Sequence, residues 1–260
     1  MTPDDATRFR LTLHYDGSSF LGWQLQPNGR TVQGELEAAL KQLTGKRRVV
    51  TASGRTDRGV HALGQVVAVS LPSRWGSSEL HRALNAVLPP DLWLESVRRA
   101  NSDFHPRFDA LARSYEYRVG LTPTSRSPFH QRWCWPLVRP LELDLLQRGA
   151  ALLLGDHSFR AFAKTGQEER GDRCTVTEAQ WRPWSTLGLV FHVTANRFLH
   201  HMVRYLVGTL VDIGRERRPL DELVQLLTDP ETELETSPPA PPEGLFLARV
   251  DYPEPGITLD

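Results

Sequence analysis

The sequence predicts an α+β fold of two split-βαβ halves, expected at 1–105 and 106–260. They are expected to form a mixed, largely antiparallel sheet with helices on one side and an active-site cleft between the halves. Two observations lead there. Short runs that alternate apolar and polar residues are separated by longer runs with apolar residues at helical spacing, and the order strand, helix, strand, strand, helix, strand occurs twice. The 260 residues also give room for one large domain or two of modest size.

In the first half, Phe9, Leu11, Leu13 and Tyr15 alternate as a half-buried strand that stops at the Asp16-Gly17 turn. Thr31 is placed to cap a helix whose apolar stripe is Val32, Leu36, Leu40 and Leu43. Residues 49–52 read as a strand, followed by a glycine-flanked loop and a second strand through Val66, Val67 and Val69. Ser78 is expected to start a further helix with Leu80, Leu84 and Val87 on one face, and a strand over 92–97 closes the half.

The second half opens near 101–106. Tyr115, Tyr117 and Val119 mark a strand, and after a proline-rich loop Leu143, Leu146, Ala150 and Leu153 mark a helix. Strands over 176–181 and 189–194 follow, then a helix over 199–213 with Val203, Leu206, Val207 and Leu210 in its stripe. Leu223, Leu226 and Leu227 mark a short helix, 237–242 reads as a surface loop, and 245–250 is the last strand. Each half is thus a split βαβ unit of the ferredoxin-like, RRM-like kind.

The formal net charge is zero, but the charges are unevenly spread. From Leu220 onward ten acidic residues face one basic residue, Arg249, which leaves thirty basic against twenty-one acidic in the rest. A basic body suits a polyanionic partner. All the basic residues except Lys41, Lys46 and Lys164 are arginine, whose planar fork matches phosphate and stacks on bases, although the codon bias of a GC-rich genome gives the same composition. Arg47 and Arg48, Arg98 and Arg99, and Arg215, Arg217 and Arg218 read equally as phosphate contacts or as ordinary solvated surface. The seven tryptophans could stack bases, but most are expected in the core or an interface.

Uncharged apolar runs such as 150–155 fall far short of the roughly 20 residues a membrane span requires. The first ten residues hold Asp4 and Asp5 and no apolar core, so neither a membrane partner nor a secretory signal is expected. Two cysteines, Cys134 and Cys174, cannot build a disulfide framework or a four-cysteine zinc site, which fits a reducing cytoplasm. His200 and His201 are adjacent within the expected helix, where neighbours point about 100° apart and do not converge on one ion. No metal site is therefore expected.

The segment richest in chemistry is Ser53-Gly54-Arg55-Thr56-Asp57-Arg58-Gly59-Val60-His61. A carboxylate between two arginines is favoured in its ionised form, the form a nucleophile or general base needs, and the glycines let the backbone turn sharply. A tight turn with a local ion pair has the same residues. The loop is neither a Walker loop nor a dinucleotide-binding fingerprint, because no Gly-Lys-Ser/Thr and no Gly-x-Gly-x-x-Gly is present.

The run Gly54-Arg55-Thr56-Asp57, with Gly59-Val60-His61 after Arg58, resembles the signature of the tRNA pseudouridine synthase A (TruA) family. Other segments, in the same order, are similar to that family's further motifs. They are Tyr15-Asp16-Gly17 with Gly22-Trp23-Gln24, Thr31-Val32-Gln33, Phe104-His105-Pro106-Arg107-Phe108 and Arg113-Ser114-Tyr115-Glu116-Tyr117, followed by the run from Asn196 to Arg204 and Glu243-Gly244-Leu245. The resemblance implies an isomerase that converts uridine to pseudouridine at positions 38, 39 and 40 of the tRNA anticodon stem-loop, working as a cytoplasmic homodimer with no cofactor. It implies that Asp57 is the essential catalytic carboxylate and that Arg55 and Thr56 shape its loop, with Arg55 a candidate to hold the extruded nucleotide. Tyr115 is implied to lie against the target base, Arg204 to pair with the aspartate, and Leu245 to form an apolar wall. Arg58 and Arg107 are candidates for RNA contacts. Tyr117, two residues from Tyr115 on the same strand face, is expected in the core. Arg58 stands where many relatives carry a smaller residue, and Ser114 and Glu116 stand where some carry arginine, so local phosphate contacts differ.

Two other classes are compatible with such a loop. A non-catalytic RNA-binding module would lack the aspartate or the tyrosine, and both are present. A carboxylate-dependent hydrolase usually needs a second carboxylate or a metal cluster; no other acid lies within the loop, which leaves only one distant in the sequence to fold in beside Asp57.

Overall fold

The structure is a computed structural model that describes residues 6–164, 171–229 and 232–253. Ten strands and five α-helices among these residues make the fold α+β, with mostly antiparallel strand pairing. The chain divides into two compact units, one of Met1–Leu111 with Leu247–Asp260 and the other of Ala112–Phe246.

In the first unit, β1 (Ala6–Tyr15) buries every second residue, so Phe9, Leu11 and Leu13 are fully enclosed. It pairs antiparallel with β3 (His61–Pro72) on one side and with β4 (Leu92–Ala100) on the other, with Leu11 opposite both Val67 and Val97. The expected strand over 49–52 shrinks to β2 (Thr51–Ala52), which pairs with β3. Val49, 64% exposed, and the buried Val50 both stay outside it. Helix α1 (Val32–Thr44) begins at Thr31, whose Oγ1 accepts the Gly34 N–H at 3.2 Å, and buries Val32, Leu36 and Leu40 as its spacing predicts. Helix α2 (Ser77–Val87) starts one residue earlier than expected, with Gly76 rather than a hydroxyl residue at its cap, and buries Leu80 and Leu84. The later part of β10 (Leu245–Asp251), from Leu247 onward, belongs to this unit and runs beside β3.

In the second unit, β5 (Ala112–Gly120), β9 (Gly188–Ala195), β8 (Arg173–Trp184) and β7 (Gly155–Ser158) lie side by side, each antiparallel to the next. A two-residue strand, β6 (Trp135–Pro136), runs parallel to β5. Trp181 and Phe191 sit opposite each other across β8 and β9 with ring centroids 5.1 Å apart in the core. Helix α3 (Leu143–Leu152) buries Leu146 and Ala150 but leaves Leu143 of its expected stripe exposed, whereas α4 (Met202–Gly214) and α5 (Leu220–Thr228) carry theirs in full. Two further expectations change. Helix α4 begins at Met202 and not at 199, because His201 adopts φ +65° and breaks the helical path. The proline-rich 237–242 segment is no surface loop, since Ala240 is 2% exposed and the Ser237 N–H donates to Thr209 Oγ1 on α4 at 3.3 Å.

Candidate functional site

The loop from Ser53 to His61 links β2 to β3, and a set of buried polar groups fixes its backbone. Ser53 N–H donates to the Val66 carbonyl at 2.8 Å and Ser53 Oγ donates to Gln65 Oε1 at 2.7 Å. The Gln65 amide, fully buried, in turn donates to the Gly54 carbonyl at 3.0 Å. At the next turn Thr56 Oγ1 shares a hydrogen bond of 2.8 Å with Tyr15 Oη, and the Thr56 carbonyl accepts the Trp23 N–H at 3.0 Å. That last bond requires the chain at Gly22 to lie directly on the loop. Gly22 has φ +95°, and a Cβ there would sit 2.7 Å from the Thr56 oxygen, so only glycine fits. Val60 N–H closes the turn on the Asp57 carbonyl at 3.2 Å.

This hold on the main chain leaves Arg55 and Arg58 exposed and Asp57 half-buried, three charged side chains on a stiff support. The loop ends at His61, whose Nδ1 lies 3.1 Å from the Gly17 nitrogen and 3.2 Å from the Asp16 carboxylate. Burial works against the charge of Asp16, but the His61 ring and the Ser18 hydroxyl and amide outweigh it and hold this carboxyl well below the usual range. Arg107 stands exposed on a self-bonded turn of the same unit. His105 N–H donates to Asp109 Oδ2 at 2.9 Å, and the Arg107 and Phe108 N–H groups both donate to His105 Nδ1 at 3.2 Å.

In the second unit Tyr115 and Tyr117 share a face of β5. Tyr115, half-buried, meets the edge of Phe198 with centroids 4.9 Å apart and planes at 80°. Tyr117 is fully buried, as expected of a core residue, and its phenol donates to the Pro241 carbonyl at 2.6 Å. Burial pushes this phenol well above its ordinary value, while the nearby Arg204 charge pulls the other way, so the hydroxyl stays protonated. Arg204, on the first turn of α4, donates from Nε to the Ala240 carbonyl at 2.7 Å, and the Ala240 N–H donates to the Arg204 carbonyl at 2.9 Å. The segment from Ser237 to Gly244 is therefore a strap that joins Tyr117 to Arg204. Leu245 follows it at the start of β10 and is buried.

His200 and His201 require a correction to the geometric reasoning. Because His201 precedes α4 in a left-handed conformation, helical spacing does not apply, and the two rings lie 4.1 Å apart, centroid to centroid. Cys134 and Cys174 are free and buried, and burial pushes both thiols up to about 11, so neither is a thiolate at neutral pH. Among the described residues no helix is long and apolar enough to cross a membrane.

Motif and spacing do not mark the groups that position the candidates, namely the side chains of Tyr15, Ser53 and Gln65 behind the Asp57 loop, Phe198 against Tyr115, and Ala240 against Arg204. The one signal for them lay in the Tyr15-Asp16-Gly17 and Gly22-Trp23 runs, which the structure places against the loop.

Comparison with known proteins places these features in a family. A family model described as tRNA pseudouridine synthase matches residues 12–109 and 150–253. A tRNA pseudouridine synthase A of Moorella thermoacetica is 43% identical over 94% of this chain and 98% of that protein. Proteins of the same name from Chlorobium luteolum and Myxococcus xanthus are 41% and 37% identical, covering 94% and 97% of this chain and 95% and 97% of their own lengths.

Proposed function

The chain belongs to the tRNA pseudouridine synthase family, and we propose that it forms pseudouridine at positions 38, 39 and 40 of the tRNA anticodon stem-loop with Asp57 as the essential carboxylate. It is an isomerase that acts on tRNA uridine. The observation that carries the role of Asp57 is the rigid mounting of its loop by Tyr15, Trp23 and Gln65, with the carboxylate half-buried between two exposed guanidinium groups.

Pseudouridine forms when the bond from uracil N1 to C1′ breaks, the base rotates, and C5 bonds to the same carbon. C5 loses its proton and N1 gains one, so atoms and electrons balance with no external donor, and no cofactor is required. Asp57 serves this reaction either by attacking C1′ or by removing a sugar proton. Both need an ionised carboxylate held in a fixed position. Arg204, anchored by the strap, is assigned to pair with the carboxylate and orient it. Tyr115, braced edge-on by Phe198, offers a flat apolar face to the detached uracil, and Leu245 a wall.

A stacked nucleotide must leave the stem to reach any such site, at a cost of a few kcal/mol. Arg55 is the residue assigned to hold the extruded nucleotide, and Arg58 and Arg107, both exposed, are assigned to its flanking phosphates. Recognition then rests on RNA shape more than on base sequence. A homodimer in the cytoplasm completes the reading, by the family resemblance of the sequence motifs. Primer extension on carbodiimide-treated tRNA tests it. Stops at positions 38 to 40 after incubation with the purified protein are the expected result, and stops elsewhere, or none, would reject the assignment.

A further inference from the structure

Three arginines gather on the face of the first unit's sheet that lies opposite Phe9, Leu11 and Leu13. Side chains alternate along a strand, so Arg8, Arg10, Thr12 and His14 share that face of β1. Across the antiparallel pairing Arg10 faces Arg98 on β4, and Arg8 faces Ala100 on β4 and Ser70 on β3. Arg8 and Arg10 stand roughly 7 Å apart along the strand.

Neutral groups hold two of the three guanidiniums. Arg8 donates from Nε to the Phe104 carbonyl at 3.3 Å and from Nη1 to Ser70 Oγ at 3.2 Å. The Arg10 guanidinium carbon lies 4.3 Å from the Tyr252 ring centroid and 6.0 Å from that of Phe104. Tyr252 is fixed in turn, since its hydroxyl donates to the Pro106 carbonyl at 2.6 Å. Among the described residues none of the three arginines forms an ion pair with a carboxylate. Other arginines do. Arg30 pairs with Asp91 at 2.5 Å and Glu35 at 2.6 Å, Arg47 lies 3.4 Å from Glu37, and Arg218 lies 2.5 Å from Glu222.

Like charges facing each other across a strand pair disfavour the fold, and half-burying a guanidinium without a counter-charge disfavours it further. Both effects act here. Burial lowers the pKa of Arg8, and burial together with the Arg98 charge lowers that of Arg10 against the pull of Tyr252. An uncompensated, pre-oriented cluster of planar donors matches an external anion with oxygens on a tetrahedral centre.

We propose that Arg8, Arg10 and Arg98 form a phosphate-binding subsite on the outer face of the first unit's sheet, which takes the sugar–phosphate backbone of a tRNA arm. The proposal rests on the reading of the protein as a tRNA-modifying enzyme. Its evidence is separate, because the arginines lie on strands away from the Asp57 loop. Such a subsite adds affinity without reading bases, and its signature is the salt dependence of binding.

The test is filter binding of unmodified tRNA to the full chain over a series of KCl concentrations. For Arg10→Gln/Arg98→Gln the slope of log affinity against log salt is expected to become shallower by about two, roughly one per lost phosphate contact, with binding weakened several-fold. Arg10→Lys/Arg98→Lys keeps the charge and should keep most of the slope. A glutamine pair with the wild-type slope overturns the proposal. Should circular dichroism show that the Arg10 change unfolds the protein, Arg98→Gln alone, at an exposed position, must lower the slope by about one or the proposal fails. Polyglutamate binding that weakens in the variants while tRNA binding does not would assign the face to an acidic protein and overturn the RNA reading. Turnover of the wild-type protein on the same tRNA checks the proposed activity independently of these slopes.

Discussion

The phenol of Tyr15 and the hydroxyl of Thr56 share a buried hydrogen bond of 2.8 Å, which joins the first strand to the residue before Asp57. The Gln65 amide approaches the same phenol at 3.4 Å. Tyr15→Phe removes one oxygen, which takes the phenol partner from Thr56 and the weaker of two partners from the Gln65 amide. A loss of about 1–3 kcal/mol in urea unfolding is expected, together with a fall in turnover as the loop loosens. Unchanged stability and unchanged turnover would show that the loop is held by its backbone bonds alone.

Asp57→Asn keeps the size of the side chain and removes its charge. The variant is expected to fold and bind tRNA as the wild type does, yet release no tritium from tRNA carrying 5-³H-uridine. Residual turnover close to wild type would remove Asp57 from its assigned role.

Arg204→Ala deletes the guanidinium and its bond to the Ala240 carbonyl. Turnover should fall by about a hundredfold while the tRNA dissociation constant stays within about twofold, because the group acts on positioning more than on affinity. A change confined to the dissociation constant would turn Arg204 into an RNA contact.

Gly208→Ala reaches the same arginine from a distance. On an ordinary helix this change gains about 1 kcal/mol. Here the added Cβ would lie 2.1 Å from the Pro238 carbonyl oxygen of the strap, so the strap or the helix must move. The balance is expected to be a net loss of about 1–2 kcal/mol and lowered turnover, read by thermal unfolding and single-turnover assays. A stabilised, fully active variant would mean that the strap is slack.

Asp16 supplies a pH dependence. Its folded carboxyl titrates below the ordinary value of 3.8, so the charged form contributes stability that is fully present above that pH and fades as pH falls below it. Asp16→Asn should therefore be less stable than wild type at neutral pH, with the gap closing below about pH 4 in urea titrations. A gap that stays constant down to pH 3 would exclude the charge as its source.

Elements set by local periodicity were readable in advance. The apolar alternation of Phe9, Leu11 and Leu13, and the Thr31 cap followed by Val32, Leu36 and Leu40, form the strand and helix that they suggest. What escaped depends on partners distant in the chain. The Gly155–Ser158 strand has no alternating apolar pattern and exists because β8 satisfies its backbone. The proline-rich strap looks like solvent-exposed chain until Thr209, Arg204 and Tyr117 are seen to bond it. The start of α4 was misjudged because periodicity does not register the left-handed turn at His201. At the candidate site, glycines and alternating charges made the Asp57 loop conspicuous. The side chains of Ser53 and Gln65 that fix it gave no signal, because a hydrogen bond between them is a fact of tertiary structure.

The composition of the first unit bears on how the protein is made. Its sheet includes Leu247 and Val250, both buried, and the Asp251 carbonyl accepts the Leu111 N–H at 2.8 Å. A ribosome synthesises all of Ala112–Phe246 before it delivers this strand, so the opening segment must wait, incomplete, through that interval. Until then part of β3 offers bare backbone to any passing chain, a period when a chaperone has the most to do and when truncated products have the most reason to aggregate.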